Sequence, residues 1–148
     1  MKLTIVTMNE DNCKTAAKIA ADNLKEAWSE DTYRSQLANP NDHTFIAYCG
    51  GEPAGFLSVW YVLDEIEINN IAVYPKFRRQ GIAESLFAAM REALPHAERT
   101  VLEVRSSNKA AIALYQKLGF APVGVRKNFY KDPVEDAVIF VLDNEQKK

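Results

Sequence analysis

The tightest constraint in this chain is a change of apolar period across one short turn. Ile66-Glu67-Ile68-Asn69-Asn70-Ile71-Ala72-Val73 is apolar at alternate positions, which predicts a strand. From Gly81 onward, Ile82, Leu86, Met90 and Leu94 recur at helical spacing with Phe87 alongside, which predicts an amphipathic helix. Between the two stands Arg78-Arg79-Gln80-Gly81. A glycine at a helix mouth lets backbone N–H groups approach a ligand closely, and the helix start adds roughly half a positive charge. With two arginines beside it, the turn suits a pyrophosphate. Taken alone, so short a motif is better read as a solvated basic turn, and other segments have to decide between the two.

Residues 2–7 alternate as a strand, and Ala16, Ile19, Ala20, Asn23, Leu24 and Ala27 predict a helix over 11–26, capped by Asn9 or Asp11. Ser29 followed by Glu30 and Asp31 predicts a second helix, ended by Asn39-Pro40. Strands over 43–49 and 54–63 flank a Gly50-Gly51 hairpin turn, and Asp64-Glu65 makes a corner into the strand at Ile66. After the Gly81 helix, stopped by Pro95, come a strand over 100–105 and a helix capped by Asn108 and closed by Gly119. Strands over 120–126 and 134–142 follow, and 144–148 reads as a loose tail. This order predicts an α/β (α+β) fold in a single domain over 1–148. Its central sheet is mixed, mostly antiparallel, of about seven strands, with helices on both faces and one strand-helix-strand-helix crossover in the middle. Asn69-Asn70 is a candidate bulge that would splay the fourth strand from the fifth.

Composition narrows the function. A net charge of −2 argues against wholesale binding to nucleic-acid backbone or an anionic membrane surface. Cys13 and Cys49 are too few for a disulfide framework, and lone His43 and His96 give no metal-ligand spacing, so no metal is expected. No apolar run approaches membrane-spanning length and the N-terminus lacks a signal-peptide core, so a cytoplasmic protein is expected.

The turn resembles the Arg/Gln-x-x-Gly-x-Gly/Ala signature of the GCN5-related N-acetyltransferase superfamily. Asn70-Ile71-Ala72-Val73 is similar to that superfamily's fourth strand and Leu102-Glu103-Val104-Arg105 to its fifth. Ser107-Asn108 through Ala113-Leu114-Tyr115-Gln116-Lys117-Leu118-Gly119-Phe120 resembles its closing helix. Three motifs thus keep their order and spacing. Within the superfamily, Trp28-Ser29-Glu30, Leu63-Asp64-Glu65, Glu103-Val104-Arg105, Asn128-Phe129-Tyr130 and Glu135-Asp136-Ala137 most resemble the ribosomal-protein alanine N-acetyltransferases.

The resemblance implies acetyl-CoA as co-substrate, its pyrophosphate held by Arg78, Arg79, Gln80, Gly81, Ile82, Ala83 and Glu84. It implies that Ile71, Ala72 and Val73 offer backbone groups to the pantetheine and the thioester oxygen, and that Asn108 bonds the pantetheine arm. Glu103 would be the general base. Read on its own, it is a strand acid facing solvent or pairing with Arg105, although poor solvation in a half-buried strand suits a base. Tyr115 would serve the departing thiolate, whereas its place on an apolar stripe reads alone as core. A phenol near 10 is a weaker acid than a thiol near 8.5, so Tyr115 needs a positioned hydrogen bond or a lowered pKa. Trp28, Tyr33, Tyr130 and Glu135 are candidates to line the acceptor cleft; singly, each reads as an aromatic staple or a surface acid.

The implied acceptor is a protein N-terminus, by resemblance the N-terminal alanine of a small-subunit ribosomal protein. Direct transfer in a ternary complex fits, since neither cysteine lies in a motif. A small-molecule amine acetyltransferase and a catalytically idle acyl-CoA-binding module remain alternatives; the presence of both Glu103 and Tyr115 weighs against the second.

Overall fold

The first strand, β1 (Leu3–Thr7), pairs antiparallel with β2 (Asp42–Cys49), and β2 with β3 (Glu52–Val62). The structure, a computed structural model, describes residues 2–143; the predicted tail at 144–148 lies outside them. Between β1 and β2 run α1 (Cys13–Asn23) and α2 (Glu30–Gln36). Next come β4 (Glu65–Val73), a 3-10 turn at Pro75–Phe77, α3 (Ile82–Ala93), β5 (Arg99–Arg105) and α4 (Lys109–Lys117). The chain closes with β6 (Ala121–Lys131) and β7 (Val134–Asp143). The hydrogen-bonded order is β1-β2-β3-β4-β5-β7-β6, a seven-stranded mixed sheet in which β4 and β5 run parallel.

Contacts divide the chain into two compact units, with β4 shared between them. The first holds residues up to Val62 and Asn69–Pro95; the second holds Leu63–Ile68 and the chain from His96 on. In the first, Tyr33, Ile46 and Phe56 are fully buried with Cys13, Ala16, Ile19 and Ala20 of α1. Those α1 residues recur at helical spacing, so one apolar stripe drives its packing. Helix α3 buries Ile82, Leu86, Phe87 and Met90, the stripe read from the sequence. In the second, Thr100, Leu102 and Val104 alternate inward on β5, and Tyr115 of α4 packs its ring 5.8 Å from Phe120 and 6.3 Å from Phe140.

Capping explains where helices begin. Ser29 Oγ accepts from Thr32 N at 3.2 Å, with Glu30 and Asp31 in the first turn, as its sequence predicts. At α1 the expected caps shift: Asn12 is the capping residue, and its side chain makes no cap bond into the helix. Instead Asn9 and Asn12 close on each other, Asn9 Oδ1 accepting from Asp11 N and Asn12 N while Asn12 Oδ1 accepts from Asn9 N. That local turn holds 9–12 out of the helix, so α1 starts after the predicted Asp11; at its other end it stops at Asn23, where Leu24 takes extended backbone, short of the predicted Glu26. The corner before β4 also moves: Leu63 takes a left-handed φ of 59°. Strand β6 runs five residues beyond the predicted end at Arg126, reaching Lys131. A register shift between Arg126 and Tyr130, with Asn128 at φ 52°, interrupts the alternation that sequence reading depends on.

Gly55 in β3 explains a further packing feature. A Cβ there would lie 2.7 Å from Ala72 O and 3.1 Å from Val73 Cγ2, so glycine permits the close approach of β4's end. Gly55→Ala is expected to destabilise by about 1–3 kcal/mol through overpacking. That lowers Tm by roughly 2–10 °C in a thermal melt, and an unchanged Tm would refute the contact.

Candidate active site

The turn after β4 is built by its own side chains. Phe77 is buried and anchors the 3-10 turn; Arg78 then extends, and its Nε donates to Val73 O at 3.0 Å. Gln80 Nε2 donates to Lys76 O at 3.3 Å. Arg79 and Gly81 both lie in the left-handed region, at φ 65° and 78°. Left-handed residues are the elements of anion-binding backbone nests, and a non-glycine residue held there marks strain kept by its surroundings. Gly81 caps α3 without a side-chain bond, and a Cβ built on it meets nothing within 4 Å. The first-turn N–H groups of Ile82 and Ala83 have no intrahelical acceptor. Bare helix start, open space and two exposed arginines together fit a diphosphate.

A surface groove of about 770 Å³, lined by Lys14, Lys18, Ile19, Pro53, Tyr74 and Lys76 among others, adjoins this turn but contains none of the expected site residues. At its edge Tyr74 donates to Asp22 Oδ2 at 2.6 Å, and burial with that carboxylate pushes the phenol up to about 12.

In the second unit, Glu103 is 24% exposed and accepts from Arg126 Nε, whose side chain is 57% exposed. Its ion-pair partner is therefore Arg126 of β6; Arg105, the sequence candidate, is engaged elsewhere. Asn108 Oδ1 accepts from Ala111 N at 3.1 Å, confirming the cap; that bond occupies Oδ1 and leaves the Nδ2 donors for another acceptor. Tyr115 is buried, and burial, with a smaller contribution from Tyr130, pushes its phenol up. Of the two routes open to this residue, a lowered pKa is thus absent and a positioned hydrogen bond remains.

The acceptor-side candidates separate. Tyr33 is fully buried: its ring packs 5.7 Å from Trp28 and 5.8 Å from Phe56, and its hydroxyl accepts from Asn70 Nδ2 at 3.3 Å. It is a core residue, and desolvation pushes its phenol up. Glu135 is also committed internally. Oε1 accepts from Arg105 Nη1 at 3.2 Å, while Oε2 accepts from Ser107 N at 2.7 Å and Ser106 Oγ at 3.2 Å. Trp28 and Tyr130 are part-exposed. Sequence reading missed Arg126 and Gly55. An isolated glycine inside a strand pattern is the signal that could have found Gly55; Arg126 carries none.

The sequence profile of the Acetyltransferase (GNAT) family matches residues 13–120. This chain belongs to the GNAT acetyltransferases. The GNAT chain is 37% identical to a Bacillus subtilis (strain 168) protein over 141 residues, 93% of each chain. It is 40% identical over 121 residues to the [ribosomal protein bS18]-alanine N-acetyltransferase of Escherichia coli (strain K12), covering 78% of this chain and 80% of that protein. The crystal structure of the Escherichia coli ribosomal-protein-S18-alanine N-acetyltransferase superposes with a TM-score of 0.86 at 34% identity, over 96% of this chain and 94% of that one. Arabidopsis thaliana NAA60, solved with acetyl-CoA, shares the fold at 18% identity with a TM-score of 0.84, over 97% and 99% of the two chains. The protein is an N-terminal acetyltransferase, an acyltransferase by reaction class. Among the described residues, no helix is long and apolar enough to cross a membrane.

Donors hold the Glu135 carboxylate at about 2, against an ordinary 4.5. A lowered folded value stabilises fully above the unfolded one and is lost as pH falls through it. The stability gap between wild type and Glu135→Gln is therefore expected to stay constant from about pH 7 to about pH 5 and to close as pH drops toward about 2. Denaturant midpoints across pH check this, and a gap that widens on acidification refutes it.

Proposed function

We propose that residues 1–148 work as one cytoplasmic N-acetyltransferase domain, moving acetyl from acetyl-CoA to the α-amine of a protein that begins with alanine. A small-subunit ribosomal protein of the bS18 kind is the favoured acceptor. The observation that carries this reading is the match to the Escherichia coli bS18-alanine enzyme, over 78% of this chain in sequence and 96% in structure.

The chemistry agrees. An α-amine titrates near 7.7–8.0 and a lysine near 10.4, so the lysine is harder to deprotonate by roughly 3.4 kcal/mol. A carboxylate base can serve the first far more readily. In this reading Glu103 takes the amine proton, directly or through a water, as the N–C bond forms and the C–S bond breaks. Its exposed partner Arg126 occupies Oε2, which leaves Oε1 for the amine. Acetyl-CoA supplies the activated thioester. Arg78, Arg79, Gln80 and Gly81, with the first-turn residues Ile82, Ala83 and Glu84, hold its pyrophosphate. The backbone of Ile71, Ala72 and Val73 and the amide of Asn108 orient the arm. Tyr115 donates a positioned hydrogen bond to the departing thiolate, and a phenol raised by burial keeps its proton for that bond.

A peptide with a free N-terminal alanine and an internal lysine, incubated with acetyl-CoA, should gain acetyl on the α-amine by tandem mass spectrometry. Acetyl on the lysine alone, or none, would overturn the assignment. Glu103→Gln is expected to cut kcat by roughly 10²-fold while acetyl-CoA affinity stays level; an unchanged rate removes Glu103 as base. Gly81→Asp adds strain and a negative charge to the turn, so calorimetry should show acetyl-CoA binding abolished, and intact affinity would sink the cradle.

A further inference from the structure

Asn70 stands on β4 immediately before Ile71, where the backbone stretch assigned to the pantetheine and the thioester oxygen begins. The ladder from β4 to β5 covers Glu65–Glu67, so Asn70 lies beyond it. Strand alternation fixes its face. Ala72, two residues on, is buried with Ala16, Ile19 and Ala20 of α1 and Tyr33 of α2, and Asn70 shares that side. Helix α3, which opens from the donor turn, covers the opposite side. Its Ala89 and Ala93 line a surface groove with Phe45, whereas the adjacent Ile46 packs into the α1 cluster. The donor turn thus leads to one face of the first unit's sheet, and Asn70 stands on the other.

A half-buried carboxamide wants partners at both ends. Asn70 Nδ2 donates to the Tyr33 hydroxyl at 3.3 Å. Tyr33 is fully buried, its ring 5.7 Å from Trp28 and 5.8 Å from Phe56, so that hydroxyl is a fixed point. Pinning Nδ2 orients the whole planar amide. Among the described residues, Oδ1 is left without a partner. Nor is it sealed from solvent: the buried orphan atoms belong to Gln36, Arg91 and Thr100. Oδ1 is therefore an oriented, accessible acceptor. A plain staple to α2 would use the same Nδ2 bond, and the two readings differ in what an acceptor peptide feels.

In direct transfer the acceptor nitrogen must reach the thioester carbon while the donor keeps its own place. A donor anchored at the start of α3 leaves the α1–α2 face for the acceptor, and there the carboxamide of Asn70 adjoins Ile71. We propose that Asn70 is an acceptor-binding residue, whose Oδ1, oriented by Tyr33, accepts an N–H of the acceptor α-amine and turns the nitrogen lone pair toward the thioester. The arrangement suits a primary amine. One N–H goes to Asn70 and the other stays available to the base, whereas a neutral secondary amine has a single N–H to share. This inference rests on the proposed acetylation of an α-amine and on Ile71–Val73 holding the thioester.

The test is steady-state kinetics with two peptides that differ only at the first nitrogen, one starting with alanine and one with N-methylalanine. Asn70→Leu, of similar size but without a polar side-chain atom, is expected to lower kcat/KM for the alanine peptide by about 10-fold, with the acetyl-CoA KM moving less than about twofold. The wild-type preference for alanine over N-methylalanine should narrow by about the same 10-fold. Tyr33→Phe deletes one oxygen and keeps the ring packing, so it probes the same link even where Asn70→Leu does not fold. It is expected to cost about threefold with the alanine peptide, and less than about 1.5-fold once Asn70 is already leucine. An unchanged preference in both variants, an acetyl-CoA KM rising in step with the peptide KM, or failure of both variants to fold would reduce Asn70 to a staple between β4 and α2. Absence of α-amine acetylation by the wild-type protein would overturn the reaction and this inference with it; activity with an unchanged preference overturns the inference alone.

Discussion

The end of β4 is held from three directions, and the donor turn takes its place from them. Gly55 lets β3 approach Ala72 more closely than any other residue would allow. Asn70 reaches Tyr33 at the heart of the first core, and Arg78 folds back onto Val73 O. Two of these ties meet backbone atoms, Ala72 O and Val73 O, as befits a strand whose proposed work is done by N–H and C=O groups. The ladder to β5 covers only Glu65–Glu67, so the later part of β4 takes its position from the first unit. With Phe77 buried at the next turn, the chain enters Arg79 and Gly81 already constrained, and left-handed backbone at a non-glycine residue becomes tolerable.

Two carboxylates of the second unit show how surroundings divide labour between identical groups. Glu135 has both oxygens bound by fixed donors, including a backbone N–H, and stays ionised far into acid. It has nothing left to offer a substrate. Glu103 has one arginine, itself more than half exposed, and exposed pairs are worth only about 0–1 kcal/mol. Its Oε1 is left open beside that partner. The availability of one oxygen separates the proposed base from a strut here.

Much of the architecture was legible because it rests on local rules. The apolar stripe of α3, the Ser29 and Asn108 caps and the alternation of β5 are written in neighbouring residues, and the structure keeps them. The errors came where local rules compete with something distant. Asn9 and Asn12 capture each other and shorten α1; the irregular register around Asn128 hides the length of β6. Tyr33, offered as a cleft candidate but read singly as an aromatic staple, packs in the core against Phe56.

The sequence by itself determined the order of elements, the chemistry of the turn at Gly81 and the family, since periodicity, caps and motif spacing are properties of residues close in the chain. Tertiary structure decided which partner each charge takes. Glu103 meets Arg126 across 23 positions and Arg105 meets Glu135 across 30, and no pattern along the chain encodes such pairings. They are set by strand register and by two irregularities in β6, because a small slip in register redirects every side chain beyond it.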